Sequence, residues 1–288
     1  MSEPTSAEPD RPAQRGGPPV PGEPDRRAEL RVERRDRVLW LTIDRPERRN
    51  ALNWSVVRGL RAALADAKAD PDVAVVVLTG AGDQAFCAGA DLGTMGDAPE
   101  DGARFLDQHD ARGELAGLFQ EMWQLGKPTV ARVQGWAVAG GFGLALACDL
   151  VVASERARFG ATEIRVGLWP FMVTVPMVRS MGPKTALDLM LTGRIVEAAE
   201  GQRLGFVSRV VAHEDLDASL EELVGTLAGH SPAVTKLGRD AFYAVLDMGS
   251  AQALAHLHAM LTLTNQTEDA AEGMAAFLEK RPPSWRGR

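Results

Sequence analysis

The sequence predicts an α/β fold with a parallel β-sheet, followed by a helical C-terminal region. Short, uninterrupted apolar runs such as VAVVVLTG at 73–80 are typical of strands that are covered on both faces, and such strands are usually parallel. These runs lead into glycine-containing loops, after which apolar residues recur at helical spacing. Beyond about residue 215 only the helical period remains.

The first part of the chain predicts a hairpin, a helix and a buried strand. Apolar and polar residues alternate over 30–44 on both sides of a charged Arg-Arg-Asp-Arg turn, which indicates a β-hairpin. Over 55–69 the apolar residues recur at helical spacing, and the following Asp70-Pro71 ends the helix. The run at 73–80 is the first predicted buried strand.

The middle of the chain repeats the order of strand, glycine loop and helix. A helix is predicted over about 103–125, a second buried strand over 128–135, a short apolar helix over 140–148 and a third strand over 149–154. The glycine loops therefore fall at the carboxyl ends of the strands. Ligands bind at that edge in open α/β sheets.

The predicted organisation has three regions. Residues 1–28 are rich in Pro, Gly and charge, so they cannot bury enough apolar surface to offset their ordering entropy, and we expect a disordered tail. The β/α core with the ligand site spans 29–214. Residues 215–288 form a helical region, with helices predicted over 215–228, 233–247 and 251–279.

Composition excludes several classes of partner. The net charge is -7, and the 32 Lys and Arg are scattered along the chain, which argues against nucleic acid or an anionic membrane. The sequence has neither the apolar centre of a secretory signal nor a membrane span of about 20 apolar residues, so we predict a cytoplasmic protein. Cys87 and Cys148 match no disulfide framework or metal-ligand spacing and are expected to be buried thiols.

Two turns of small residues are candidates for an anion-binding site. Gly140 and Gly141 stand where a helix begins, and a helix N-terminus offers unpaired N–H groups and partial positive charge. Tight packing of that helix against a strand is the alternative explanation for the glycines. CAGAD at 87–91 also places small residues just after a buried strand. Backbone N–H groups from both turns could converge on one oxygen, as in an oxyanion hole.

Five segments carry a resemblance to one family, in the family's order and spacing. They are RPERRNALN (45–53), LTGAGDQAFCAGADL (78–92), KPTVARVQGWAVAGGFGLALACDLVVASERARFG (127–160), LTGRIVEAAEGQRLGFVSRVV (191–211) and EGMAAFLEKR (272–281). Over roughly 29–281 the chain resembles the crotonase superfamily, the enoyl-CoA hydratase/isomerase family.

The resemblance implies a fold, an assembly and a chemistry. The family folds as a spiral of ββα units closed by C-terminal helices that pack into homotrimers, often paired as homohexamers. Its members bind acyl-CoA thioesters and stabilise an enolate without a metal or redox cofactor, coenzyme A being part of the substrate. By position in the motifs, the oxyanion donors are expected to be the backbone N–H groups of Ala90 and Gly140.

The same resemblance implies contacts with the substrate. Two arginines are candidates for the CoA phosphates, small residues for the adenine and pantetheine pocket, and one lysine for CoA of its own or a neighbouring subunit: Arg48, Arg49, Ala51, Ala88, Asp91, Leu92 and Lys280. The acyl pocket is expected to involve Trp136, Gly141, Gly143, Trp169 and Phe171. Surface charge and a core position are the alternative explanations for the arginines and the aromatic residues, respectively.

Hydratases of this family usually present two glutamates, and this chain has one of them. Glu163 occupies the second position, between apolar stretches, so we expect a catalytic carboxylate with a raised pKa. Capping a helix or pairing with Arg165 is the alternative role. The first position is Gly143. Hydration normally shares proton transfers between two carboxylates, whereas moving a 3-enoyl double bond to the 2-position needs one base, so we favour isomerisation over hydration.

Other activities remain as alternatives. One-acid hydration is known in relatives such as hydroxycinnamoyl-CoA hydratase-lyases, while the dienoyl-CoA isomerase and dehalogenase branches require an acid at the position of Phe171. A homologue that binds acyl-CoA without catalysis is a contrasting class. A nucleotide-phosphate binder is disfavoured, because LTGAGDQAFCAG lacks the lysine and Ser/Thr of a P-loop.

Overall fold

The computed structural model describes residues 29–95 and 105–288, which form two β-sheets and the helices around them. The predicted tail over 1–28 and the first residues of the helix predicted over 103–125 lie outside the described residues. The strands are β1 (Leu30–Arg35), β2 (Val38–Ile43), β3 (Val75–Gly80), β4 (Ala85–Cys87), β5 (Thr129–Val133), β6 (Trp136–Val138), β7 (Leu150–Ser154), β8 (Arg158–Gly160), β9 (Val196–Glu197) and β10 (Arg209–Val211).

Helices connect the strands and make up the C-terminal part of the chain. They are α1 (Trp54–Ala69), α2 (Leu92–Met95), α3 (Phe105–Trp123), α4 (Gly140–Ala147), α5 (Phe171–Met181), α6 (Pro183–Thr192), α7 (Ala198–Arg203), α8 (Leu216–Ala228), α9 (Pro232–Val245), α10 (Ser250–Thr264) and α11 (Glu268–Glu279). Single turns of 3₁₀ helix occur at Pro46–Arg48, Glu163–Val166 and His213–Asp215. Among the described helices, none combines the length and the apolar character needed to cross a membrane.

The larger sheet has six strands in the order β1-β2-β3-β5-β7-β10, and the smaller sheet has four in the order β4-β6-β8-β9. In the larger sheet β1 and β2 form an antiparallel hairpin, and the other neighbours are parallel. In the smaller sheet β4, β6 and β8 are parallel, and β9 is antiparallel. The carboxyl ends of β4, β6 and β8 therefore lie at one edge.

The core has two parts, one on each face of the larger sheet. Along β2, the side chains of Val38 and Trp40 pack with α8, whereas Leu39, Leu41 and Ile43 belong to the main cluster on the other face. This alternation is the period of two that a strand imposes on its side chains. The main cluster also contains residues of α1, α3, α4 and the smaller sheet, so the smaller sheet is fixed against the larger one by shared apolar packing.

Most local predictions are confirmed. The hairpin, α1, and the parallel strands β3, β5 and β7 occur where the sequence places them, and α4 begins at the predicted glycine. The single helix predicted over 251–279 is wrong. The chain instead forms α10 and α11, because the Thr267 hydroxyl accepts a hydrogen bond from the Ala270 N–H at 3.1 Å and starts a new helix.

Candidate active site

Three turns meet at the carboxyl edge of the smaller sheet. Within three residues after β4, β6 and β8, respectively, the chain reaches Ala90, Gly140 and Glu163. Because the three strands are adjacent and parallel, their following turns leave the sheet on the same side. The fold thus brings the two predicted amide donors and the predicted carboxylate to one edge.

The backbone pairing around Ala90 directs its amide. Leu52 donates its N–H to the carbonyl of Gly89 at 2.7 Å and accepts from the N–H of Asp91 at 2.7 Å, which is the pattern of a parallel β-bridge. Backbone groups of successive residues in such a bridge point to opposite sides, so the Ala90 N–H points away from Leu52. Among the described residues it has no hydrogen-bond acceptor.

The Gly140 amide is exposed by an unusual turn at Ala139. Ala139 has φ 51° and ψ −128°, a conformation that costs about 1–3 kcal/mol for a residue with a Cβ atom. Its N–H donates to Gly160 at 2.8 Å, and its carbonyl accepts from Phe142 and Gly143. The Gly140 N–H, at the first position of α4, is left without an acceptor in the described part of the chain.

The two turns are in contact. A Cβ atom built on Gly140 would lie 3.8 Å from the Ala90 nitrogen, and one built on Gly89 would lie 3.2 Å from the Gly140 nitrogen. Gly89 has φ +88°, and its added Cβ would stand 2.8 Å from that of Ala139, so only glycine fits this approach. Two unpaired N–H groups from separate turns therefore lie close together, which is the arrangement that can hold an oxyanion.

Packing explains the second glycine of the pair. A Cβ atom on Gly141 would lie 2.2 Å from the carbonyl oxygen of Cys87, so α4 can approach β4 this closely only with glycine there. The packing explanation raised for the glycine pair therefore holds for Gly141, and its contact with substrate stays a prediction. The apolar residues that follow keep α4 fully buried.

Glu163 is a partly buried carboxylate with an unsatisfied oxygen. It begins the 3₁₀ turn Glu163–Val166, whose end is fixed by Gly167 at φ 77°. Its buried Oε2 has no hydrogen-bond partner among the described residues, and no ion pair with the exposed Arg165 is formed. Desolvation raises the pKa of this carboxyl, and a backbone hydrogen bond from its own residue offsets this only in part.

The position of the missing acid is closed by apolar side chains. Gly143 is buried, and a Cβ atom there would lie 2.9 Å from Cγ2 of Val173 and 3.1 Å from Cζ of Phe119. Both side chains are almost fully buried in the main core. A glutamate at residue 143 would therefore need α3 or α5 to give way.

The predicted aromatic residues occupy different surroundings. Trp136 is exposed and opens β6, at the end opposite to the Ala139 turn. Trp169 is half-buried against the main core, while Phe171 is 70% exposed at the start of α5. The side chain that reaches Gly143 from this segment is Val173, which no sequence pattern predicted as part of the site. Contacts of the three aromatic residues with an acyl group stay predictions.

Six of the seven predicted CoA contacts lie in two adjoining loops. The Ala88 N–H donates to the Arg49 carbonyl at 3.0 Å, which joins the loop after β2 to the loop after β4. The side chains of Arg48 and Arg49 are exposed, Ala51 is buried, and Leu92 is exposed at the start of α2. Lys280 ends α11, which packs against α9, and among the described residues no hydrogen bond joins it to these loops.

Asp91 has a partner in this structure. Its Oδ2 accepts from Nη2 of Arg45 at 2.8 Å, and its Oδ1 accepts from the Gly93 N–H at 3.2 Å. The bond from Arg45 is the main cause that lowers the pKa of the Asp91 carboxyl. Asp91 thus holds the loop in place whatever its contact with CoA.

Three buried polar residues that no sequence pattern predicted support the site. Arg45 is 6% exposed. Asn50 is fully buried, and its side-chain amide donates to the carbonyls of Ala81 and Ala85. Gln134, also fully buried, donates to Ala85 at 2.9 Å. The loop sequences around these residues do not indicate that their side chains are buried. Arg45 and Asn50 do lie in RPERRNALN, one of the segments that carries the resemblance to the family.

The chain is similar to known proteins over most of its length. The family model described as enoyl-CoA hydratase/isomerase matches residues 33–288. A Thermus thermophilus protein provisionally named an enoyl-CoA hydratase is 42% identical over 246 residues, covering 85% of this chain and 96% of its own. The 2,3-dehydroadipyl-CoA hydratase of Escherichia coli is 38% identical over 265 residues, covering 91% and 100%.

Solved structures show the same architecture. The crystal structure of an enoyl-CoA hydratase from Mycobacterium smegmatis aligns with a TM-score of 0.84 and 34% identity over 89% of this chain and 98% of its own. That of an enoyl-CoA hydratase from Bacillus anthracis aligns with a TM-score of 0.84 and 29% identity over 90% and 100%. The fold is that of a crotonase. The chain belongs to the enoyl-CoA hydratase/isomerase family.

Proposed function

We propose that the protein acts on an acyl-CoA thioester, which it holds by the amides of Ala90 and Gly140, with Glu163 as its single acid/base. The observation that carries this proposal is that two neighbouring N–H groups without acceptors and a carboxylate with an unpaired oxygen follow three adjacent parallel strands at one sheet edge. The relatives are named as hydratases of CoA thioesters, and these names support an acyl-CoA thioester as the substrate class.

The favoured reaction is transfer of a double bond from the 3- to the 2-position. The Glu163 carboxylate takes a proton from C2 of a 3-enoyl thioester, and the electron pair moves onto the thioester oxygen. The Ala90 and Gly140 amides stabilise that oxygen, and each such donor contributes about 3 kcal/mol to lowering a barrier. The protonated Glu163 then returns the same proton at C4. The step needs no second acid and no cofactor.

The apolar closure at Gly143 favours this reaction over water addition. Val173 and Phe119 fill the direction in which a carboxylate at residue 143 would start. Hydratases of the family use two carboxylates to add water to C3. Of those two positions, this chain has a carboxylate at Glu163 and a glycine at Gly143. An apolar wall beside a held enolate instead favours return of the proton to carbon.

Hydration with one acid is the second candidate. It is supported by the relatives' names, which include the (E)-benzylidenesuccinyl-CoA hydratase of Thauera aromatica, 36% identical over 262 residues. In this alternative Glu163 takes a proton from water as oxygen adds to C3, and the proton is delivered to C2. A homologue that binds acyl-CoA without chemistry is the third candidate, and the unsatisfied Glu163 opposes it.

An absorbance assay separates the three. The protein is incubated with a 2-enoyl-CoA and, separately, with a 3-enoyl-CoA of the same chain length, and the conjugated thioester band is followed. We expect the band to appear from the 3-enoyl substrate faster than it is lost from the 2-enoyl substrate. The reverse order supports hydration. No change in either sample, with CoA binding intact, supports the non-catalytic alternative and contradicts our proposal.

We also propose assembly into a homotrimer, alone or paired as a homohexamer, through α10 and α11. These helices expose large apolar side chains, among them Leu254, Leu261, Met274 and Leu278, and Phe277 is 83% exposed. Such a surface is typical of an interface between subunits. Light scattering should give a mass of three or six times the 30.9 kDa chain. A monomer at micromolar concentration would contradict this assembly.

A further inference from the structure

Arg45 is the most buried arginine next to the proposed site, and its contacts fall on both sides of one backbone bridge. Its Nη1 donates to the carbonyl of Ala51, and its Nη2 donates to Oδ2 of Asp91 at 2.8 Å. Ala51 precedes Leu52, and Asp91 follows Ala90. Leu52 and Ala90 are the two residues of the bridge that directs the oxyanion amide.

The third nitrogen lies beside a carboxylate that contacts the start of α1. Nε of Arg45 is 2.9 Å from Oε1 of Glu29, an ion pair without hydrogen-bond geometry, and Glu29 accepts a hydrogen bond from the Asn53 side chain. The Arg45 backbone is fixed as well, since its N–H donates to the Asn50 side chain and its carbonyl accepts from the Asn50 N–H. A guanidinium presents its donors in a rigid fork, so its partners cannot shift independently.

We propose that Arg45 is a positioning residue for the oxyanion amide of Ala90. By clamping Ala51 and Asp91 it holds the Leu52–Ala90 bridge in register, and the bridge keeps the Ala90 N–H pointed toward the Gly140 turn. Arg45 does not itself touch the reacting atoms. This inference rests on the proposed function, because it assigns Arg45 a part in the same site.

The alternative is that Arg45 merely stabilises the fold, and the chain offers a matched control for that. Arg239 has 8% of its side chain exposed, against 7% for Arg45. It donates hydrogen bonds from three nitrogens, to Asp149 and to the carbonyls of Trp123 and Met122, whereas Arg45 donates two and adds the ion pair with Glu29. These contacts join α9 to the end of α3. Arg239→Met therefore removes a comparable buried clamp without touching the bridge.

The experiment compares Arg45→Met, Arg45→Lys and Arg239→Met in the full-length protein. Turnover is measured with the 3-enoyl-CoA or 2-enoyl-CoA that the wild type converts. The oxyanion site is probed directly with acetoacetyl-CoA, whose enolate absorbs in the near ultraviolet. Unfolding midpoints of all variants are recorded in parallel. Arg45→Lys keeps the charge and one or two bonds, so it provides folded protein if Arg45→Met does not.

We expect Arg45→Met to lower kcat about 100-fold, the loss typical of a donor displaced by about 1 Å, with KM changed less than about threefold. The enolate absorbance of bound acetoacetyl-CoA should fall with kcat. Arg45→Lys should lie between wild type and Arg45→Met in both readouts. Arg239→Met should lower the unfolding midpoint but keep the enolate absorbance.

Three results would overturn the inference. A raised KM with unchanged kcat would mean that Arg45 only shapes the CoA loops. An equal loss of enolate absorbance in Arg239→Met would mean that general destabilisation is the cause. Wild-type protein that binds acetoacetyl-CoA without forming enolate would refute the oxyanion site itself and, with it, the proposed function. Failure of the Arg45 variants alone leaves the proposed function standing.

Discussion

The sheet edge at Ala90, Gly140 and Glu163 contrasts with a second polar group, the Asp149 cluster. This cluster consists of Asp149, Thr129, Arg239 and Tyr243. Asp149 accepts four hydrogen bonds, from the Thr129 N–H and hydroxyl, from Nε of Arg239 at 2.8 Å and from the Tyr243 hydroxyl at 2.5 Å. Arg239 uses its other nitrogens to bind carbonyls at the end of α3.

The two regions use polar groups in opposite ways. In the Asp149 cluster, the polar atoms satisfy one another and join α3, β5 and α9. At the sheet edge, two N–H groups and one carboxylate oxygen find no protein partner in the part of the chain that the structure describes. Of these, the Glu163 Oε2 and the Gly140 residue are buried, whereas Ala90 is exposed. A buried polar group costs free energy unless it is paired, so the buried unpaired groups mark a place that a ligand can complete. We therefore assign the mutually paired groups of the Asp149 cluster to stability and the unpaired groups of the sheet edge to chemistry.

The largest expected effect is the loss of activity in Glu163→Gln. Removing a general base typically costs about 10²–10⁴ in rate, and here one carboxylate carries every proton transfer, so we expect the upper end. Affinity for CoA should change little. Steady-state turnover and CoA titration test this. Glu155→Gln, a change at an exposed carboxylate after β7, is the control and should keep full activity.

Turnover of Glu163→Gln within tenfold of wild type would contradict the assignment of the base. It would also weaken the contrast between the two regions, because an unpaired carboxylate would then have no chemical role.

The next effect is on stability and concerns the Asp149 cluster. Asp149→Asn leaves Arg239 and Tyr243 without their charged partner, and breaking a buried pair typically costs about 3–5 kcal/mol. Because Asp149 is partly exposed, we expect about 3 kcal/mol in the free energy of unfolding. Denaturant unfolding measures this. The kcat of the folded fraction should stay within about twofold of wild type.

A large fall in kcat with little loss of stability would reverse the assignments of the two regions. Such a result would place the Asp149 cluster in the chemistry of the protein rather than in its scaffold.

Sequence patterns predicted the parts of the fold that depend on local periodicity. The hairpin, α1 and the buried parallel strands repeat at two or 3.6 residues over a sufficient length. The smaller sheet was not predicted, because β4, β6 and β8 have three residues each and show no period. The break at Thr267 was missed because a threonine is compatible with a helix interior as well as with a cap.

The candidate site divides in the same way. The Ala90 and Gly140 turns follow from glycine-rich motifs that are continuous in sequence. The Arg45–Asp91 pair joins residues 46 positions apart, and burial of that arginine depends on how the two loops close over each other. The closure at Gly143 depends on Phe119 and Val173, which come from two other helices. Such contacts join residues that are far apart in the chain. Local sequence patterns therefore do not predict them.

A third prediction concerns the closed position of the missing acid. Gly143→Glu should destabilise the protein by about 1–3 kcal/mol, because the added Cβ atom would lie 2.9 Å from Val173. It should not raise the rate of hydration of a 2-enoyl-CoA. The double change Gly143→Glu with Val173→Ala should regain part of the stability, because the lost methyl groups make room. If Gly143→Glu alone were as stable as wild type, α5 would be able to move away from residue 143 without cost, which would contradict the prediction.

The pH dependence of Glu163 gives a fourth prediction with two opposite signs. Burial raises its pKa above the ordinary 4.5, and catalysis needs the ionised form, so activity should fall as pH drops through that raised pKa. A group with a raised folded pKa stabilises the protein below its unfolded pKa and loses this as pH rises through the folded one. Glu163→Gln should therefore match wild type in stability below pH 4.5 and exceed it at pH 7.

Thermal unfolding of wild type and Glu163→Gln between pH 4.5 and pH 7 tests the predicted pH dependence of stability. An advantage of Glu163→Gln that grows toward low pH would have the wrong sign and would indicate an unrecognised partner for the carboxylate.

The smallest expected effect separates strain at the site from strain elsewhere. Ala139 (φ 51°) and Asp36 (φ 52°) both have a positive φ, the first beside the Gly140 amide and the second in the β1–β2 turn. Replacing either with glycine removes the steric cost but adds entropy to the unfolded chain, so the two terms offset and each variant should change stability by no more than about 2 kcal/mol. Only Ala139→Gly should lower kcat, by about threefold, because a freer residue 139 lets the Gly140 N–H sample other directions. Equal kcat in the two glycine variants would mean that the strain at Ala139 has no part in aiming the amide, and that the pairing of Ala139 with Gly160 suffices to hold it.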